Sequence, residues 1–148
     1  MTADPTSWPD RAFLLADPRL RAFSGSHSLV TGGLGFIASN LVHALTILGS
    51  SVTVVDALVP GQGGNRFNLA GIADKVDLRI ADIRDTEEMQ RAVQGQDFIF
   101  NLAARVSHID SLEEPFEDLD VNVRGHLVFL EAVRRNAPRA RGGWPPPE

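Results

Sequence analysis

From Ser28 onward the apolar residues alternate between short unbroken runs and longer stripes at helical spacing. Ser28–Thr31 is a short apolar run, read as a strand. Phe36 to Leu48 then carries Ile37, Leu41, Ala44/Leu45 and Leu48 at three- and four-residue intervals and is closed by Gly49, which predicts a helix. Val52–Asp56 is a second, β-branched strand. A loop over Pro60–Asn65 and a short helix near Arg66–Gly71 lead to a third strand, Val76–Ala81. Thr86–Val93 reads as a helix with Thr86 or Asp85 as N-cap and Gly95 as its stop. Asp97–Leu102 is a fourth strand, and a longer helix runs roughly from Pro115 to Asn136 with proline in its first turn.

Strands and helices alternating at this spacing predict an α/β fold, a doubly wound parallel sheet with helices on both faces. Right-handed crossovers favour strand order 3-2-1-4. Residues 1–25 form an N-terminal extension with short helical segments at Arg11–Ala16 and Pro18–Phe23, and the domain spans 26–137. Residues 138–148 are a Pro/Gly-rich tail whose consecutive prolines remove ladder donors, so the sheet is expected to be truncated after about four strands.

Net charge is −5, which argues against a nucleic-acid partner needing a basic face. No residue from Ala22 to Val55 is Asp, Glu, Lys or Arg, but glycines cut that stretch into pieces suited to a buried strand–helix–strand unit rather than a membrane span. The N-terminus lacks the pattern of a secretory signal, and a cytoplasmic location is expected. There is no cysteine, and His27, His43, His108 and His126 have no ligand spacing, so no metal site is assigned. There is also no tyrosine, and the only lysine is Lys75.

The densest chemical signal is Thr31-Gly32-Gly33-Leu34-Gly35-Phe36-Ile37-Ala38. A glycine turn between strand and helix lets backbone approach a pyrophosphate, and the helix start directs N–H groups at it. Gly32 makes the turn, Gly35 permits the approach, and Ala38 is small enough for helix and strand to pack. Asp56 ends the next strand, where a carboxylate can accept both hydroxyls of an adenosine ribose and repel a 2′-phosphate; the alternative is that it caps a loop. NAD is therefore favoured over NADP. Asp82-Ile83 ends the third strand and could meet an adenine amino group and ring, or Asp82 could be a turn residue before Arg84-Asp85. Asn101-Leu102-Ala103-Ala104 ends the fourth, and all four segments meet at one Rossmann-type sheet edge.

These residues resemble the extended short-chain dehydrogenase/reductase family, within it the NAD-dependent nucleotide-sugar epimerases and dehydratases. The family opening Thr-Gly-Gly-x-Gly-Phe-Ile-Gly-Ser is matched at 31–39, with Ala38 in place of the last glycine. Val54-Val55-Asp56, Asp82-Ile83, Asn101 to Ala104 and Asp120-Val121-Asn122-Val123-Arg124-Gly125 follow in order. Asn101 stands where a histidine is more usual and His126 where a threonine is. The resemblance implies Phe36 and Ile37 by the pyrophosphate, Asp56, Ala57 and Leu58 by the ribose, and Asp82 and Ile83 by adenine. It puts Leu102, Ala103, Ala104 and Arg105 along the cofactor towards nicotinamide, and Ser107 with the loop to Leu112 towards substrate.

Family members carry a Ser/Thr and a Tyr-x-x-x-Lys that move the sugar hydroxyl proton, and no residue of this chain inherits those roles. The expected function is thus the NAD-binding N-terminal part of a nucleotide-sugar epimerase/dehydratase, catalytically incomplete as it stands. The Gly142–Pro147 run reads as a reading-frame change or an artificial end. The alternatives are a non-catalytic NAD-sensing or dimer-partner module, or a non-functional truncated product. The acids Glu113, Glu114, Glu117, Asp118 and Asp120 are read as a helix start favoured by the macrodipole. The last helix has two apolar stripes, one through Phe116, Leu119, Val123, Leu127 and Leu130 and one through Val121, Val128 and Ala132. One covers the sheet. The resemblance implies that the other forms a homo- or hetero-dimer through the 115–136 helix; the alternative is that it covers what would have been a fifth strand.

Overall fold

The computed structural model describes residues 11–136. The first ten residues of the expected extension, residue 137 and the 138–148 tail lie outside them. Four strands, β1 (His27–Thr31), β2 (Ser51–Asp56), β3 (Val76–Ile80) and β4 (Phe98–Asn101), form one sheet. They pair in parallel in the order β3-β2-β1-β4, as the crossover rule requires. Val30 stands beside Val54 on one side and Phe100 on the other, so the apolar runs meet in register.

Helix α1 (Arg11–Ala16) and a 3-10 turn (Pro18–Phe23) precede the sheet. The turn places Phe23 on β4, its ring centroid 4.6 Å from that of Phe98 and 6.2 Å from that of Phe100. Helix α2 (Phe36–Ile47) covers one face, where Ala38, Val42 and Leu45 pack on Val30, Val52 and Val54. Helix α3 (Thr86–Ala92), N-capped by Asp85 through a 3.0 Å bond from the Glu88 N–H, covers the other. There Met89, Ala92 and Phe129 pack on Leu29 and Val55. Because consecutive strand residues point to opposite faces, Leu29 and Val30 serve different cores. Burial on both faces is why β1 and β2 lack polar alternation, whereas β3, at the sheet edge, alternates Val76, Leu78 and Ile80 with Asp77 and Arg79.

Three expectations change. The Arg66–Gly71 helix is a 3-10 turn over Arg66–Leu69, started by the Asn65 carboxamide accepting from the Phe67 N–H at 2.8 Å. The loop expected after Ser107 is a helix, α4 (His108–Glu113), opened by the Ser111 N–H donating to Ser107 O at 3.0 Å. The long helix from Pro115 is interrupted: α5 (Pro115–Leu119) passes through a π segment (Asp120–Gly125) into α6 (His126–Asn136). The wider turn lets Asn122 bond the Arg105 backbone on both sides, donating to Arg105 O at 2.8 Å and accepting from its N–H at 2.9 Å. It also brings Gly125 against Ile83, where an added Cβ would lie 2.6 Å from Cγ2.

The two stripes of this helical run separate as expected. Val121, Val128 and Ala132 face the core, whereas Phe116, Leu119, Val123, Leu127 and Leu130 are exposed. Phe129 is 2% exposed and Phe116 is 83% exposed. Phe129→Ala should therefore destabilise the chain by about 3–5 kcal/mol in urea unfolding, and Phe116→Ala by about 0.5 kcal/mol or less. Equal losses would show that the exposed stripe is packed in the folded molecule.

Candidate cofactor site

The C-terminal ends of all four strands open into one cleft of about 1150 Å³. The Gly32 N–H donates to Val55 O at 2.7 Å, and the Gly35 N–H donates to Gly32 O at 2.9 Å, so the glycine run folds tightly off β1. Gly32 has φ +67° and lies so close to the β4 exit that an added Cβ would be 2.8 Å from Ala103 N and Leu102 O. Only glycine meets both demands. Gly35 is the extended N-cap of α2, whose first intrahelical bond runs from the Ser39 N–H to Gly35 O at 3.0 Å. The N–H groups of Phe36, Ile37 and Ala38 therefore precede the ladder, at the positive end of the helix. Phe36 and Ile37 are exposed and line the cleft.

Asp56 is held by backbone. Oδ2 accepts from the Leu34 N–H at 2.9 Å and Oδ1 from the Leu58 N–H at 2.8 Å. The loop-capping reading is thus realised, yet the half-buried carboxylate still lines the cleft, and each oxygen retains an acceptor position. The second bond holds Leu58 at φ +49°, the one non-glycine with positive φ among the described residues. Leu58 turns its side chain into the α2 core rather than the cleft, unlike its neighbour Ala57.

The β3 exit is fixed by Arg84. Asp82 Oδ1 accepts from the Arg84 N–H at 2.8 Å and from Nε at 3.0 Å, and Oδ2 accepts from Nη2 at 2.7 Å. Arg84 Nη1 then reaches Glu117 at 2.8 Å and Asp120 at 3.1 Å. The turn reading of Asp82 holds, and Asp82 also lines the cleft with buried Ile83. Hydrogen bonds from Arg84 hold the Asp82 and Asp120 carboxyls below their ordinary range and raise the guanidinium above its own.

Of the residues singled out in the sequence, Gly32, Gly35, Phe36, Ile37, Asp56, Ala57, Asp82, Ile83, Leu102, Ala103, Ala104 and Arg105 line this one cleft, and Leu58 does not. Sequence reasoning missed the loop at Gln62–Gly64, which folds over Asp56, and the strut made by Arg84. Glu117 and Asp118 stand in the first turn of α5 as expected, and four of the five acids also act as anchors. Glu117 and Asp120 hold Arg84, Glu114 holds Arg105 at 2.7 Å, and Asp118 accepts from Ser111 and Asn122 at 3.1 Å each. The run of acids in a chain rich in arginine was the available signal.

A glycine turn into a helix start, facing a strand-end carboxylate across a parallel sheet, defines a Rossmann-type nucleotide-binding fold. The sequence match is narrower. Residues 28–141 fit the model of the NAD dependent epimerase/dehydratase family, and the chain belongs to that family. A dTDP-glucose 4,6-dehydratase of Mycobacterium tuberculosis is 41% identical over 114 residues, which is 75% of this chain and 34% of the relative. A putative UDP-glucose 4-epimerase of Methanocaldococcus jannaschii is 34% identical over 109 residues, 72% of this chain and 33% of the relative. An epimerase structure from Methanothermobacter thermautotrophicus superposes with TM-score 0.72 at 32% identity, covering 79% of this chain and 34% of that one. Thermus thermophilus UDP-glucose 4-epimerase in complex with NAD superposes with TM-score 0.65 at 37% identity, covering 74% and 34%. The chain spans about a third of the length of the curated relatives it matches.

The Arg84 strut has a pH signature. Two of its partners, Asp82 and Asp120, have folded-state pKa values below the unfolded 3.8, so that part of the stabilisation is full above that value and is lost as pH falls through the lower folded one. The gap in melting temperature between the chain and Arg84→Gln should be widest near about pH 7 and narrow as pH falls below 3.8. A gap that stays constant with pH would remove the ion pairs from the strut's stabilising role.

Proposed function

We propose that this chain binds NAD in the cleft, as the cofactor-binding part of a nucleotide-sugar epimerase or dehydratase. The observation that carries the reading is the convergence of the glycine turn, the Asp56 carboxylate and the Leu102–Arg105 backbone on one sheet edge. The N–H groups at the start of α2 would hold the pyrophosphate, with Phe36 and Ile37 beside it. Asp56, already oriented by two backbone donors, would accept from both ribose hydroxyls with its remaining acceptor positions. A 2′-phosphate would meet the same charge at close range, hence NAD over NADP. Asp82 Oδ2 keeps an acceptor position for the adenine amino group, and Ile83 offers an apolar wall. Leu102, Ala103, Ala104 and Arg105 would run along the nicotinamide half.

Bound NAD supplies reversible hydride acceptance from a sugar carbon. The chain's own part is to bind, orient and select the dinucleotide. A tyrosine base would have to come from outside these 148 residues, which contain none. The relatives named for dTDP-glucose and UDP-glucose support a nucleotide-sugar substrate for the whole enzyme.

Asp56→Asn keeps the size, removes the charge and gives up one of the two backbone bonds. The chain should bind NAD at least about tenfold more tightly than NADP in calorimetric titration, and the substitution should weaken NAD and narrow that preference. Unchanged affinity and preference would take Asp56 out of the cofactor site.

The exposed stripe on α5 and α6 favours a second role, pairing with another copy or a longer relative through residues 115–136. Leu127, 65% exposed, stands in the α6 part of the stripe. Sedimentation should show concentration-dependent association that Leu127→Glu abolishes; a monomer at every concentration would exclude self-pairing.

A further inference from the structure

Two of the three positions at which this chain departs from the pattern it resembles, Asn101 and His126, touch each other. Asn101 Nδ2 lies 3.1 Å from His126 Nδ1, and His126 Nε2 lies 2.9 Å from Ala103 O. The other side of Asn101 meets Thr31, whose Oγ1 is 2.6 Å from Asn101 Oδ1. That same Oγ1 accepts from the Leu102 N–H at 3.1 Å and the Ala103 N–H at 3.2 Å.

The proton positions in this circuit follow from the inventory of donors and acceptors. Two backbone N–H groups can only donate, so they occupy both acceptor positions of the Thr31 hydroxyl. Its proton must then go to Asn101, which requires Oδ1 there and turns Nδ2 towards the imidazole. Nδ2 can only donate, so His126 Nδ1 must be the bare nitrogen and Nε2 must carry the proton. That proton is donated to Ala103 O. The circuit begins at the N–H of Ala103 and ends at its carbonyl, gripping one residue from both sides. Ala103 is also the residue against which Gly32 packs without room for a Cβ.

We propose that Asn101 and neutral His126 are positioning residues that hold the Leu102–Ala103 backbone against the glycine turn and so shape the nicotinamide half of the cofactor cleft. The inference rests on the NAD-binding reading for its functional consequence, while the grip itself is independent of any ligand. Sequence distance hides it. Thr31, Asn101 and His126 belong to β1, β4 and the start of α6, and only the sheet order and the π segment bring them together.

The test compares the full chain with His126→Gln, whose amide offers one acceptor and one donor at similar separation, and His126→Leu, which offers neither. Imidazole nitrogen NMR of the unsubstituted chain should show Nε2–H with Nδ1 unprotonated at neutral pH; the opposite tautomer overturns the circuit. Amide exchange at Leu102 and Ala103 should accelerate about tenfold or more in His126→Leu and return towards the original rate in His126→Gln. NAD affinity should fall and recover in parallel, with a loss of about tenfold. Equal exchange in all three chains, or equal loss in both variants, overturns the proposal. If the unsubstituted chain binds no NAD, the NAD reading and the cleft-shaping role fail together, and exchange and tautomer still decide the grip. If His126→Leu does not fold, the tautomer and His126→Gln still decide it.

Discussion

A side chain at residue 32 would occupy the space now filled by the peptide between Leu102 and Ala103, since even a Cβ would come within 2.8 Å of three of its backbone atoms. Moving that peptide would release the two N–H groups bound to Thr31 and uncouple the β4 exit from the β1 exit. The glycine therefore does more than admit a ligand. It sets the separation of β1 and β4 at the end where the cleft opens, and the positive φ lets the chain leave β1 directly into α2. Everything placed around the cleft takes its position from that contact.

Polar groups at the edge are arranged as braces. Asp56 ties the glycine run to the β2 exit, Asp82 and Arg84 tie the β3 exit to the α5–π run, and Asn122 ties that run to Arg105. Each brace spans elements that are distant in sequence, and each uses atoms otherwise left with unmet hydrogen-bonding capacity at a sheet end. The π segment belongs to this system. It trades regular helical bonding for a geometry in which Asn122 reaches one neighbour and Gly125 packs closely on another. The apolar layers supply the bulk of the stabilisation, and the braces determine where the strand exits stand.

The asymmetry of α5 and α6 follows from the same layering. One side of that run closes the Met89 and Phe129 core, and the other carries five large apolar residues into solvent. The chain matches about a third of its curated relatives' length, and β4 is an edge of the described sheet. Both surfaces are suited to further association.

The residues alone were enough for the strand order, the two helical layers, the glycine turn and the family, because each depends on local periodicity or on motifs contiguous in the chain. Twelve of the thirteen residues assigned to the cofactor stand around one cleft; Leu58 turns away because Asp56 caps the turn it occupies. Helix α4 was read as a loop, since its six residues are too short a window for periodicity to mark. The π segment was invisible because it is selected by contacts of Asn122 and Gly125 with residues far away in sequence. The partnership of Asn101 with His126 was equally hidden, although both positions stood out singly. A one-dimensional pattern records which residues are unusual; which of them touch is decided when the sheet closes and buried donors must find acceptors.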